Sequence, residues 1–516
     1  MDQFLVMKNI TKVYDNGIMA NNNVNFSAKK GEIHAICGEN GAGKSTLMKL
    51  LFGIEQPNEG QIIIKGQPVN LTSPMKAIEL GIGMVHQHFM LVPSLTVAEN
   101  VVLGIEPRKG LRFDMAAAVK MTREVSEKYS LAVDPLAKVE DISVGLKQKV
   151  EIIKALVKGA EILILDEPTA VLTPQETKEL FEQLRALREA GHTIIFISHK
   201  LHEVKALCDR VTIIRRGRTV GVYNVADVSE QDISRLMVGV DVELTVPKAD
   251  AKPGKNVLVC RNITAYNEIG KKKVDNVSFS VRSGEIVGIA GVEGNGQREL
   301  IDLITGFGLA AAGTVELNGR SIAGLPIREL RREGLVHIPE DRMTLGVASG
   351  LSIEANLMAD KAELPRYKKG LFMNQKAMKD DTAEWIDRYQ ILCSGGKQAV
   401  GMLSGGNIQK VVVAREFESY NKLLICDQPT RGIDVGATDF IRRRLVEMRD
   451  EGKAVLLISA DLGELTNLSD SLIVMHGGEI VAYFDDVKSV TEDELGYYML
   501  GVKKMTPEEI GGALHA

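Results

Sequence analysis

Residues 38–46 read GENGAGKST, a complete G-x-x-x-x-G-K-[ST] phosphate-binding loop with Gly38, Gly43, Lys44 and Ser45 at its fixed positions. A second string, GVEGNGQR at 291–298, keeps the glycines, but Gln297 stands where the lysine should be and Arg298 where the hydroxyl residue should be. Such a loop works only between a strand that delivers it and a helix whose N-terminus points at phosphate. IHAIC runs into the first loop and STLMKLLFG leaves it. The chain is therefore committed to an α/β unit at each loop. The lysine charge and the hydroxyl on Mg²⁺ are what turn a glycine cradle into a nucleotide site, so the two halves are unequal. The glycine-only loop either still holds phosphate through its backbone or is a packing remnant.

The rest of the chain repeats in step with the loops. Gly31-Glu32-Ile33 matches Gly284-Glu285-Ile286, and Gly41, Gly60 and Gly81 match Gly294, Gly313 and Gly334, all at an offset of 253. Ser143, Asp166 and His199 match Ser404, Asp427 and Ala460 at an offset of 261, which places about eight extra residues between Gly334 and Ser404. A period this long marks duplicated domains rather than a solenoid, whose repeats run about 20–50 residues. The polar stretch DVELTVPKADAKPGKN predicts a linker over 241–256 between domains at 1–240 and 257–516. Each half is expected to open with short alternating strands (IHAIC; EIVGIAG), pass through a helix-rich middle and return to buried strands. That order implies a mostly parallel sheet covered by helices.

Composition removes several classes. The 516 residues suffice for two or more cores, and 45% hydrophobic with 25% charged residues is ordinary for a globular chain. A net charge of −5 supplies no electrostatic reason to expect nucleic acid. No apolar stretch approaches the roughly 18 residues of a membrane span, and MDQFLVMKNITK does not read as an export signal. Five scattered cysteines, with Cys37 and Cys426 in apolar runs, read as buried reduced thiols of a cytosolic protein. The nine histidines show no metal-ligand spacing.

Further strings carry chemistry. ILILDE at 162–167 is an apolar strand ending in two carboxylates, Asp166 suited to Mg²⁺ and Glu167 to polarising a water. The second half has LLICDQ, and an amide, Gln428, cannot serve as the base. His199 closes TIIFISH, 33 residues after Asp166; a lone histidine there is ordinarily structural, but its counterpart in the weakened half is Ala460, which favours a role in sensing the γ-phosphate. Gln87 in MVHQHF aligns with Glu340 in IPEDR. Tyr14 is either an adenine-stacking aromatic or a strand-edge residue. LSGGNIQK at 403–410 forms a serine–glycine nest at a helix start, where the first half reads ISVGLKQK.

Together these strings resemble the ATP-binding subunits of ABC transporters, twice over and across nearly the whole chain. GNGQREL, IPEDR, LSGGNIQK and DQPTRGIDVG are more narrowly similar to the fused double-ATPase subunits of bacterial importers for simple sugars and nucleosides. MVHQHFMLVPSLTVAENVVLG and the GNGQ loop are closer to the nucleoside branch than to the ribose or galactose branch. The resemblance implies an α/β fold of two tandem P-loop ATPase domains, each a RecA-like parallel-sheet core with a β subdomain and a helical subdomain. It implies ATP and Mg²⁺ as cofactors. Tyr14, Gly38, Asn40, Gly41, Gly43, Lys44, Ser45 and Thr46 would hold the nucleotide, with Ser45, Asp166 and Gln87 at the metal and Glu167, His199, Lys44 and Gln87 in catalysis.

In that family two ATPase domains pack head to tail, each ATP lying between one P-loop and the other domain's signature. Ser404, Gly405 and Gly406 would then face the intact loop, with Asp434 near the same nucleotide. Gln297, Arg298, Glu340, Gln428 and Ala460 would face the altered ISVGLKQ, and the first half's AVLT, at Asp434's place, falls on that weak site too. The resemblance further implies a peripheral protein on the cytoplasmic face of the membrane. Its partners would be permease subunits, two of them, and indirectly a substrate-binding lipoprotein. A permease helix would dock near 86–99, where Phe89, Met90 and Leu91 are either its contact or core. A soluble tandem translation factor is the rival class, but it calls for two competent sites and a long charged helical linker.

Overall fold

A computed structural model describes residues 3–515 except 15–16, 18, 40, 87–88, 171, 199, 240–245, 268–269 and 370–371. The chain separates into two compact units, Met1–Val242 and Glu243–Ala516.

In the first unit a six-stranded sheet runs in the order Arg218–Asn224, Arg210–Arg215, Ile33–Cys37, Thr193–Ile197, Ile162–Asp166, Ile82–Val85. All neighbours are parallel except the first pair. Covered on both faces, its inner strands are continuous apolar runs, as buried parallel strands must be. IHAIC is thus a fully buried central strand rather than an alternating one. Nor does it open the fold. Two long antiparallel strands, Gln3–Val13 and Met19–Lys29, precede it and join Glu59–Ile64 and Gln67–Val69 in a second, four-stranded sheet. Helices Val97–Val101, Met115–Lys128 and Val144–Val157 pack on one another between the strands Ile82–Val85 and Ile162–Asp166.

The second unit repeats this plan. Its six-stranded sheet is ordered Leu335–Ile338, Leu423–Asp427, Ala454–Ile458, Glu285–Ala290, Ser471–His476, Glu479–Phe484, beside a four-stranded sheet led by Asn256–Tyr266 and Lys272–Arg282. The repeat extends to backbone conformation. Asn9, Asn23, Lys65 and Glu167 have positive φ, and so do Asn262, Asn276, Asn318 and Gln428 at the matching places. Left-handed backbone is costly for residues with a Cβ, so its recurrence marks equivalent turns rather than coincidence.

Helices at matching places locate the extra residues of the second unit. Val97–Val101 corresponds to Ile353–Leu357 at an offset of 256, and Met115–Lys128 to Gln375–Arg388 at 260. The first three extra residues therefore fall between the strand Leu335–Ile338 and Ile353, a stretch that includes a π-helical turn over Arg342–Gly346 capped by Asp341. Of the expected linker, residues 241–245 lie outside those described. The part that follows is anchored to the second unit: the Lys248 ammonium donates to the carbonyls of Leu468 and Ser469 and to Asp470, and Arg449 donates to the Ala249 carbonyl.

One buried network sets the second unit apart. Arg331 pairs with Asp360 at 2.6 Å and Glu416 at 2.9 Å, and Lys361, 1% exposed, donates to Asp360, the Arg415 carbonyl and Ser419. His337 stands beside this network, and burial pulls its pKa down from 6.5 to about 4, with Glu416 opposing. Its Nε2 is buried without a hydrogen-bond partner. Between those pH values the unfolded chain takes up a proton that the folded chain refuses, so stability is lost as pH falls from 6.5 toward 4. Met84 occupies the matching place in the first unit. His337→Met is therefore expected to remove up to about 3 kcal/mol of acid sensitivity at pH 4 and little at pH 7. Urea unfolding followed at Trp385, the single tryptophan, reads this in the second unit.

Candidate nucleotide site

The first loop is built by the strand Ile33–Cys37 and the helix Lys44–Leu51, whose N-cap Gly43 has φ +99°. Lys44 is 5% exposed, and its Nζ donates to the Gly38 carbonyl at 2.6 Å and the Glu39 carbonyl at 3.0 Å. Burial lowers its pKa, against the pull of Glu167 and Asp166. The ammonium therefore lies inside the loop's curve, where a phosphate chain fits against backbone N–H groups and the helix start.

Asp166 ends the strand Ile162–Asp166, and its carboxylate shares a hydrogen bond with the Ser45 hydroxyl. Its pKa is raised by burial and by Glu167, and lowered by Lys44 and Ser45. A hydroxyl and a carboxylate adjoining a phosphate cradle are hard oxygen donors of the kind Mg²⁺ takes, so these residues fit that ion. Glu167 follows with φ +49°, held there as its N–H donates to the Ile197 carbonyl at 2.9 Å. A glutamate in left-handed backbone is strained, and such strain collects at functional positions. The Tyr14 hydroxyl donates to Glu55 and lies 3.3 Å from the Thr46 hydroxyl, which seats the ring beside the loop's helix. Asn40, Gln87 and His199, expected at this site, lie outside the described residues.

Sequence reasoning passed over one bridge. Buried Glu203 accepts hydrogen bonds from Thr169 at 2.7 Å and Ser198 at 3.0 Å, tying the turn after Glu167 to the residue before 199. In the second unit Thr430 donates to Glu464, repeating the threonine arm of the bridge, while the Ser459 hydroxyl accepts the Asp461 N–H. The only signal was a glutamate four places after His199 in both halves once the offset is applied.

The second loop has a different interior. Gln297 replaces Lys44 at the same helix position, with its amide against Gly291. The Gln428 carbonyl oxygen accepts the Ala460 N–H at 2.9 Å, and Glu340 is ion-paired with Arg431. Burial, with Glu340 beside it, pushes Asp427 up to about 7, while Arg298 draws it down. Shifted toward its protonated form, with Arg298 rather than a hydroxyl residue at the matching helix position, this carboxylate is a poor metal ligand.

Ser404, Gly405 and Gly406 stand at a helix start. Ser404 caps the helix Gly405–Phe417 from an extended conformation, and its oxygen accepts from Asn407 Nδ2 at 2.9 Å. Ser143, its counterpart, instead accepts the Leu146 N–H of its own helix. Asp434 accepts the Ala437 N–H at 2.7 Å and lies against Gly406. A cavity of about 170 Å³ lies in the first unit among Phe52, Ile78, Met84, His86, Met90 and Ala155. Met90 is 60% exposed at its rim, whereas Phe89 and Leu91 are half-buried.

The ABC transporter family profile matches residues 21–170 and 274–431, one match per unit. The chain is 45% identical over 513 residues to the guanosine import ATP-binding protein NupO of Bacillus subtilis, covering 99% of this chain and 100% of that one. It is 44% identical over 495 residues to the nucleoside import ATP-binding protein NupA of Lactococcus lactis, covering 96% and 97%. It is 39% identical over 503 residues to the ribose import ATP-binding protein RbsA 1 of Rubrobacter xylanophilus, covering 97% and 99%. With two profile matches, an intact phosphate loop and its carboxylate pair in place, the chain belongs to the ABC transporter family as an ATPase of two cassettes.

Proposed function

We propose that this chain is the ATP-hydrolysing subunit of a nucleoside importer, acting at the cytoplasmic face of the membrane on two permease subunits fed by a substrate-binding lipoprotein. Monosaccharide import of the ribose or galactose kind is the second reading, favoured only by the more distant relatives. One observation carries the enzymatic part: Lys44, Ser45, Asp166 and Glu167 converge at one loop, whereas Gln297, Arg298 and Gln428 replace three of them at the other. No helix among the described residues is long and apolar enough to cross a membrane, so translocation calls for a separate permease. The groove with exposed Met90 at its rim is where a short apolar helix of that permease would seat.

At the working site the loop amides and Lys44 would hold the β- and γ-phosphates, and Ser45, Asp166 and Gln87 would hold Mg²⁺. The cation, when bound, neutralises charge building on the phosphate oxygens. Glu167 accepts the proton of the attacking water, while His199 and Gln87 orient it. If the cassettes pair as the family resemblance implies, Ser404, Gly405 and Gly406 of the second would contact the γ-phosphate and hydrolysis would depend on that contact. Ser404→Arg is then expected to abolish phosphate release at a P-loop it does not belong to, with ATP still bound in a filter assay. Unchanged turnover would refute the shared site. For the substrate, uptake of radiolabelled guanosine should be lost on deletion of the gene and restored by wild type but not by the Glu167→Gln variant. Loss of ribose uptake instead would select the second reading.

A further inference from the structure

The second loop keeps the shape of a phosphate cradle. Gly294 and Gly296 hold φ of +91° and +102°, against +81° and +99° at Gly41 and Gly43. The Asn295 N–H donates to the Val292 carbonyl at 3.1 Å, as Ala42 does to Glu39 at 3.0 Å. A Cβ on Gly294 would meet nothing within 4 Å, as on Gly41, so the face that takes phosphate in the first loop is also open here. The helix behind the loop, Gln297–Thr305, is about two and a half turns long. Gln297, 9% exposed, lies so close inside the loop that a Cβ on Gly291 would sit 2.1 Å from its Nε2. Among the described residues no hydrogen bond engages that amide, which leaves its donor facing the open cradle while the residue as a whole is nine-tenths buried.

What this cradle lacks is a place for a divalent cation. Arg298 stands at the second position of its helix, as Ser45 does in the first, and its charge acts on Asp427 and on Asp302 one turn along. A guanidinium has five donors and no lone pair to offer a metal, and its charge repels one. The same group binds phosphate through two parallel hydrogen bonds.

We propose that the second cassette holds a nucleoside di- or triphosphate without a divalent cation, with Arg298 paired to phosphate in the place that Ser45 and Asp166 give to Mg²⁺ in the first. The proposal rests on the reading of the first loop as a Mg²⁺–nucleotide site. It makes the two nucleotides of one chain chemically different: one exchangeable with Mg²⁺, one indifferent to it.

Equilibrium dialysis of the full chain with radiolabelled ATP and ADP, in Mg²⁺ and in EDTA, tests this, with 8-azido-ATP crosslinking to place each nucleotide. The expected result is two nucleotides per chain in Mg²⁺ and one in EDTA, the latter crosslinked within the second unit. Arg298→Ser and Arg298→Gln should weaken the EDTA-resistant nucleotide by roughly 10- to 100-fold, Arg298→Lys by less, with Trp385 fluorescence unchanged. Lys44→Ala should leave it in place. EDTA removing both nucleotides overturns the proposal. So does an EDTA-resistant nucleotide that survives both Arg298 substitutions, since Arg298 would then serve only Asp302 on its own helix. A single nucleotide per chain in both Mg²⁺ and EDTA, crosslinked within the second unit, would instead overturn the reading of the first loop and leave this one supported.

Discussion

Glu167→Gln is expected to stop steady-state phosphate release, lowering it by at least about 100-fold, while ATP binding survives. The amide is isosteric with the carboxylate and fits the same left-handed backbone, which Gln428 already occupies in the second cassette at φ +50° against +49°. What it loses is the capacity to accept a proton from water. The reciprocal exchange is not symmetric. Gln428→Glu restores a carboxylate, but Gln297 leaves that loop without a lysine and Arg298 without a hydroxyl, so no second turnover should appear. The Ala460 N–H, which the Gln428 carbonyl now accepts, would hold the new carboxylate just as well. Phosphate release measured for the two single variants decides the matter: comparable loss from any change at Gln428 would sink the division of labour between cassettes.

Much of this was legible from spacing alone. A complete loop string, an apolar strand ending in Asp166-Glu167, and a repeat that shifts from 253 to 261 suffice for two α/β units and for most of the site. These features are local, and each carries its own geometric demand. Features made by residues far apart in sequence were not legible. The Thr169–Glu203–Ser198 bridge joins segments about 30 residues apart through a glutamate that reads as one of many. Arg331, Asp360, Lys361 and Glu416 read as surface charges until the fold buries them together. Charge in sequence predicts exposure, and only packing reveals the exceptions. The antiparallel sheet ahead of the first loop was underread because its strands, such as MANNNVNFSAK, are polar along one face.

Gly43→Ala and Gly41→Ala, two residues apart in one loop, are expected to fail in opposite ways. At Gly43 φ is +99°, and an added Cβ would lie 2.3 Å from the Ala20 carbonyl oxygen and 2.6 Å from Asn21 Nδ2. Those atoms cannot step aside cheaply. Asn21 donates to the Gly43 carbonyl at 3.1 Å, and the Asn22 N–H is bound to the Gly217 carbonyl at 2.7 Å. Left-handed strain of about 1–2 kcal/mol adds to overpacking of about 1–3 kcal/mol, so the first unit should lose roughly 2–5 kcal/mol even without nucleotide. Gly41 also has positive φ, +81°, but nothing lies within 4 Å of its would-be Cβ. Its substitution should cost only the backbone strain, about 1–2 kcal/mol, in the nucleotide-free protein. The open space it fills is where the phosphates pass, so ATP affinity should fall by tenfold or more. Thermal melts and ATP titrations of both variants separate the two. A Gly43→Ala protein as stable as wild type would mean that the loop is not pressed against Ala20, and the geometry argued for Lys44 would fall with it.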